Sequence, residues 1–157
     1  MVNLLAIDPG LTGAVALRSD TIGTVVWDLP TRETSSGKVK REIDATELAS
    51  WLRLLRPGVA LLERTHAMPG QGVASMFSMG VSRGVILGVL GALQIDVVEV
   101  EPRTWKKHYG LTADKKDAIL KARGMFPALQ PLLSREKDHN RAEALLMLDY
   151  LTQTRSK

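Results

Sequence analysis

Apolar runs that end in a single acid set the pattern of this chain. Leu4-Leu5-Ala6-Ile7 runs into Asp8, and Val59-Ala60-Leu61-Leu62 runs into Glu63. A short continuous apolar run bounded by turn residues is the pattern of a buried strand. The spacing predicts a strand over Val2–Asp8, a break at Pro9-Gly10 with Gly13 turning the chain back, a strand over Ala14–Arg18, a turn at Ser19-Asp20-Thr21 and a strand over Ile22–Leu29. Together these form an antiparallel meander. Pro30 ends it, and the polar stretch Thr31–Lys40 reads as a mobile loop in which Lys38, Lys40 and Arg41 are placed to touch phosphate or to be solvated.

Asp44-x-x-Glu47 resembles a capping box and opens a helix whose Leu48, Trp51, Leu52 and Leu55 form one apolar stripe. Trp51 is therefore read as core. Pro57-Gly58 stops the helix before the strand Val59–Glu63. A loop, Thr65–Gly72, leads to a long helix over about Val73 to Gln94, and Phe77 is read as core on that helix. Gly80, Gly84, Gly88 and Gly91 recur along it, a stripe that implies close approach of another backbone. The sheet beneath is the favoured neighbour, a second subunit's helix the other. Ile95–Val100, nearly all apolar, is read as a central or well-covered strand. Pro102 opens a short helix with Trp105 and Lys106, and Gly110 ends it. Thr112 is read as the cap of another helix, irregular turns follow at Phe126-Pro127 and Pro131, and the last helix runs over about Asp138 to Thr152 with Leu145, Leu148 and Leu151 facing the core.

Parallel strands joined through a crossover helix present their functional ends at one edge. Strand one and the strand after the first helix would thus bring Asp8 and Glu63 side by side. The 157 residues suffice for one domain, residues 1–157, with a substantial core. Cysteine is absent, which excludes disulfides, thiolate-bound zinc and thiol nucleophiles and suits a reducing cytosol. The opening residues show no signal-peptide pattern, and the longest apolar run, Val85 to Leu93, is too short to span a bilayer. A cytoplasmic protein of a bacterial or phage-infected cell, or an organellar one after processing, is expected. The net charge of +4 is uneven: residues 1–100 carry 9 Lys/Arg against 10 Asp/Glu, residues 101–157 carry 12 against 7. A basic C-terminal part beside acids at strand ends suits a polyanion held near a metal.

The last helix adds more acids. Glu143 lies on its first turns with His139 and Asn140 on the same face, and Asp138 sits at its head, where it can aim at the same point or simply cap the helix. Four carboxylates at one edge (Asp8, Glu63, Asp138 and Glu143) would repel one another unless cations lay between them. Hard oxygen ligands suit Mg²⁺, with Mn²⁺ as a substitute. Paired ions of this kind serve phosphodiester cleavage by activating water and stabilising the leaving oxygen.

The order of elements and acids resembles the ribonuclease H-like fold, a mixed sheet of three antiparallel strands plus two parallel ones flanked by helices. Ile7-Asp8-Pro9-Gly10 with Gly13-Ala14, Leu62-Glu63, and Asp138-His139-x-Arg141-Ala142-Glu143-Ala144-Leu145 resemble RuvC-type Holliday junction resolvases, the phage and chloroplast branch in particular. Gly80-x-x-Arg83-Gly84 and Pro102-x-x-Trp105-Lys106 fit as well. The resemblance implies a Mg²⁺-dependent endonuclease, a homodimer that binds a four-way DNA junction and nicks opposing strands. It implies Asp8, Glu63, Asp138 and Glu143 as metal-binding catalytic acids, and Lys106, Lys115, Arg83 and Met68 as DNA contacts. Two departures from the bacterial pattern stand out. Asn140 occupies the position of an acid or histidine, so that Asp138 or His139 must complete the set, Asp138 being preferred on charge. The loop after Glu63 offers His66, Met68 and Pro69 where bacterial members have an aromatic wedge.

Two other readings compete. Asp8-Pro9-Gly10-x-Thr12-Gly13 also resembles the first phosphate loop of actin-like ATPases and sugar kinases, but one lobe and no second phosphate loop weigh against a nucleotide-binding enzyme. A non-catalytic branched-DNA-binding module is disfavoured by the intact acids.

Overall fold

The computed structural model describes residues 2–35 and 40–155; Gly37 and Lys38, expected in the loop after the meander, lie outside them. The meander forms as its pattern predicts, with β1 (Asn3–Asp8), β2 (Ala14–Ser19) and β3 (Gly23–Asp28) paired antiparallel. The first turn needs its glycines. Gly10 sits at φ +126°, and a Cβ on Gly13 would lie 2.0 Å from the Asp8 carbonyl oxygen.

The chain from Thr31 to Lys40 is not wholly a loop. Thr31–Glu33 (β4) pairs antiparallel with Arg41–Ile43 (β5), held by an Arg32–Glu42 ion pair at 2.8 Å and anchored by the burial of Ile43. Only three residues pair on each side, and their polarity hid them from a periodicity reading.

α1 (Ala45–Leu55) starts as predicted, with the Asp44 side chain accepting from the Glu47 N–H at 2.9 Å. It ends at Arg56, in the left-handed region. β6 (Pro57–Glu63) then lies parallel to β1 with Ile7 opposite Leu62, and β7 (Asp96–Val100) lies parallel to β6. The strand order is β3-β2-β1-β6-β7, so β7 is an edge, not a central strand. Val98 is correspondingly exposed, and Glu99 faces outward into ion pairs with Arg64 and Arg83.

Strand alternation sorts the sheet into two faces. Leu5, Ile7, Ala60 and Leu62 pack with Leu48, Leu52, Ile86 and Leu90 of α1 and α2 (Val73–Ala92). Ala6, Val59 and Leu61 pack on the other face with Trp105, Ala118, Leu145 and Leu148, from α3 (Pro102–His108), α4 (Lys115–Met125) and α5 (His139–Arg155). Asp8 and Glu63 share the parity of Ala6 and Leu61, so they belong to the α5 face. Asp114, not Thr112, caps α4 by accepting from the Lys116 N–H; Thr112 supports that turn by accepting from the Asp114 N–H.

Helix α2 corrects two expectations. Ser82, Ile86 and Leu90 turn into the core, which places Gly80, Gly84, Gly88 and Gly91 on the far side, where a Cβ on any of them would meet nothing within 4 Å. The stripe therefore faces away from the sheet. Phe77 is 70% exposed, not core, and Val73 is exposed beside it. By length and composition α2 also meets the requirement for a membrane span, although no single run in the sequence does.

Candidate active site

Four elements converge at the C-terminal edge of the parallel strands. β1 delivers Asp8, β6 delivers Glu63, α5 delivers Glu143 and α3 delivers Lys106. Asp8 is buried, and burial, then Glu143 and Glu63, push its carboxyl well above the usual carboxylate range; Lys106 opposes this. Burial likewise raises Glu63, against a hydrogen bond from Trp105 and the charge of Lys106. Burial works against the Lys106 ammonium, but the charges of Glu143, Glu63 and Asp8 outweigh it and hold its pKa up. The Lys106 Nζ lies 3.0 Å from Glu143 Oε1.

Asp138 does not join them. It falls in a short 3₁₀ turn, Glu136–Asp138, ahead of α5. Its carboxylate accepts from the Arg135 N–H at 2.8 Å and from the Arg135 guanidinium at 2.7 Å, with Arg141 3.9 Å away. The bond from Arg135 holds Asp138 below the usual range. Closing its own turn takes the side chain away from the strand ends, which charge alone could not reveal. His139, one turn before Glu143, lines a cleft of about 270 Å³ together with Glu143, Lys106, Thr112, Asp114 and Lys115.

The other expected contacts divide. Lys115 is exposed at that cleft. Met68 is 64% exposed in the loop after β6. Arg83 is directed inward: its Nη1 donates to the Glu63 main-chain oxygen at 3.0 Å and its Nη2 pairs with Glu99. Arg83, which the resemblance marks as a DNA contact, thus directs its guanidinium to Glu63 and Glu99. Trp105 was legible as a motif residue but not as a hydrogen-bond donor; its indole N–H reaches Glu63 Oε2 at 2.7 Å. Two further residues of the α5 motif fix the frame. Asn140 donates to the Thr12 carbonyl in the turn after β1, and the Arg141 guanidinium donates two hydrogen bonds to the Asp28 carboxylate of β3, both at 2.7 Å.

The donor set has the chemistry of a hard divalent-cation site, three carboxylates facing one another in a mostly dry corner. Among the described residues, however, no three His, Asp or Glu side chains already close on one point as a metal cage. The ammonium of Lys106 meets their charge instead.

No family model matches the chain. Its sequence is 35% identical over 147 aligned positions to the chloroplastic Holliday junction resolvase MOC1 of Chlamydomonas reinhardtii, an alignment covering 78% of this chain. The chain spans only 16% of that relative's length. Two solved structures share the architecture. Thermus thermophilus RuvC in complex with a Holliday junction substrate superposes with a TM-score of 0.60 at 14% identity, covering 98% of this chain and 96% of that one. The fowlpox virus Holliday junction resolvase gives 0.52 at 15% identity, covering 99% and 100%. The chain therefore carries the ribonuclease H-like fold in its RuvC form, with a sequence similar to that of a chloroplast Holliday junction resolvase.

Proposed function

We propose that this protein is a structure-selective DNA endonuclease that resolves four-way junctions by paired, divalent-metal-dependent nicks. The observation that carries the reading is the meeting of Asp8, Glu63 and Glu143 on one face of one sheet edge, from three separate stretches of chain. The nucleotide-binding alternative needs a cleft between two lobes, and the described residues form a single lobe around one five-stranded sheet.

Asp8, Glu63 and Glu143 would hold the metal, with His139 the better-placed fourth ligand in place of Asp138. Mg²⁺ is the expected ion and Mn²⁺ its substitute, on the hardness of the oxygen donors. Bound there, such an ion supplies Lewis-acid activation of water and charge neutralisation at the leaving oxygen. Lys106 brings a positive charge to the same point, suited to a phosphate that gains negative charge during cleavage. Lys115 lines the cleft on the approach, and the exposed Met68 offers an apolar contact to unstacked bases at the branch.

Two symmetric nicks suit a two-fold dimer. The open glycine face of α2, with exposed Val73, Val81 and Phe77 near it, is the surface that would receive the same helix of a second copy. Glycines permit close helix approach, and a long apolar helix left uncovered is costly in water. A DNA-containing compartment, cytoplasmic or organellar, is where such an enzyme acts.

The test is a synthetic four-way junction with Mg²⁺. Paired nicks near the branch point are expected, abolished by Asp8→Asn or Glu63→Gln while junction binding persists. Robust nicking by either variant would remove those acids from the mechanism.

A further inference from the structure

We propose that Trp105 is a positioning residue for Glu63, acting through one hydrogen bond that fixes how this carboxylate is presented to the site. The proposal rests on the nuclease reading for its consequence but not for its geometry. Trp105 has no exposed surface and packs among Val59, Leu61, Ala118 and Leu145. A buried indole needs an acceptor for its N–H. Here the acceptor is not a backbone carbonyl but Glu63 Oε2, at 2.7 Å.

That choice has three consequences. A single donor on a single oxygen selects one orientation of the Glu63 side chain and leaves Oε1 to the site. An indole N–H is a donor only and carries no charge, so it orients the carboxylate without neutralising it, unlike a lysine or arginine. The indole N–H itself also does not titrate across the range in which an enzyme works. Glu63 is fixed at its other end too, because Arg83 of α2 donates to its main-chain oxygen at 3.0 Å. A strand end gripped only by its backbone would leave the side chain free to rotate; Trp105 removes that freedom.

The neighbouring residue completes the arrangement. Lys106, next in the chain, takes Glu143 at 3.0 Å, and its Nζ lies 5.2 Å from the Trp105 ring centroid. The seven-residue helix α3 thus sets two acids through consecutive side chains, a neutral donor for one and a cation for the other. Partners that orient a metal-binding group usually change metal affinity or activity by about 10–100-fold when removed.

The experiment uses the full chain labelled with ¹⁵N. It has three tryptophans, so three indole signals, and Trp105→Phe identifies its own by loss. Glu63→Ala is expected to shift the Trp105 indole proton upfield while the signals of Trp27 and Trp51 stay in place. Titration with Mn²⁺ alone is expected to show about tenfold weaker binding by Trp105→Phe. Under turnover, Trp105→Phe should lose kcat with junction KM unchanged. An unmoved indole signal in Glu63→Ala, or wild-type Mn²⁺ affinity in folded Trp105→Phe, would overturn the proposal. Should Trp105→Phe not fold, Trp27→Phe and Trp51→Phe assign the other two signals, and the shift of the remaining one in Glu63→Ala decides. A chain that shows the shift and the Mn²⁺ effect but cuts no junction overturns the nuclease reading and leaves the role of Trp105 standing.

Discussion

Replacing Lys106 by methionine keeps the aliphatic stem and deletes an ammonium that faces three carboxylates. Its pair with Glu143, at 3.0 Å, has a gross Coulomb energy of about 5–6 kcal/mol at an effective dielectric near 20. The side chain is 33% exposed, so solvent recovers much of that. The net value is closer to that of a charged hydrogen bond, about 1.5–3 kcal/mol. A divalent ion at the same acids must compete with this ammonium for Glu143. Lys106→Met should therefore bind Mn²⁺ more tightly, by about tenfold from roughly 1.4 kcal/mol per decade, when measured calorimetrically on metal-free protein. Single-turnover nicking should nevertheless slow by about 10²-fold, as loss of a group that stabilises developing charge does. Tighter metal with slower cutting separates the two roles of one side chain. Weaker Mn²⁺ binding by the methionine variant would refute the competition, and unchanged cutting would refute the electrostatic role.

Three other outcomes follow from the same geometry. Asp8 is raised by burial and by Glu143 and Glu63, so the folded state holds its proton more tightly than the unfolded one, and metal-free stability falls as pH rises from the ordinary aspartate value through the folded one; Asp8→Asn should raise Tm at neutral pH and flatten that slope in a thermal melt series without metal. Asp138 is lowered chiefly by Arg135, so its contribution is present above the ordinary value and lost in acid; Asp138→Asn should cost about 2 kcal/mol, or about 4–8 °C in Tm for a chain of this size, with nicking largely kept, whereas His139→Ala should weaken Mn²⁺ binding, and the reverse pattern in calorimetry would restore Asp138 as the ligand. Gly84→Glu adds a charged side chain to the open face of α2 and should yield a monomer in sedimentation that loses coordinated paired nicking; an unchanged dimer would place the interface elsewhere.

Much of this was legible from residues alone because burial and period leave strong marks. Apolar runs closed by one acid announced β1 and β6, and the parity of a strand put Asp8 and Glu63 on one face once the two lay parallel. The capping residues of α1 and the apolar period of α5 were equally plain. What failed had local signals that tertiary contacts overrode. The β4–β5 hairpin is polar and three residues long on each side, too short to show a period. An apolar β7 looked central, yet sheet order made it an edge. The glycines of α2 implied a close neighbour, but only the burial of Ser82, Ile86 and Leu90 shows that the neighbour is not the sheet.

The sequence by itself determined which acids were available and which elements carried them, because those depend on residue type and spacing along one chain. The tertiary structure decided which carboxylates meet. Asp138 and Glu143 are five residues apart, yet a turn closed on Arg135 takes one away while the helix aims the other at Asp8. It also decided the partners of charge: Arg83 turned inward to Glu63, and Trp105 became a donor. Such outcomes depend on directions in space between segments distant in the chain, and no reading along the chain contains them.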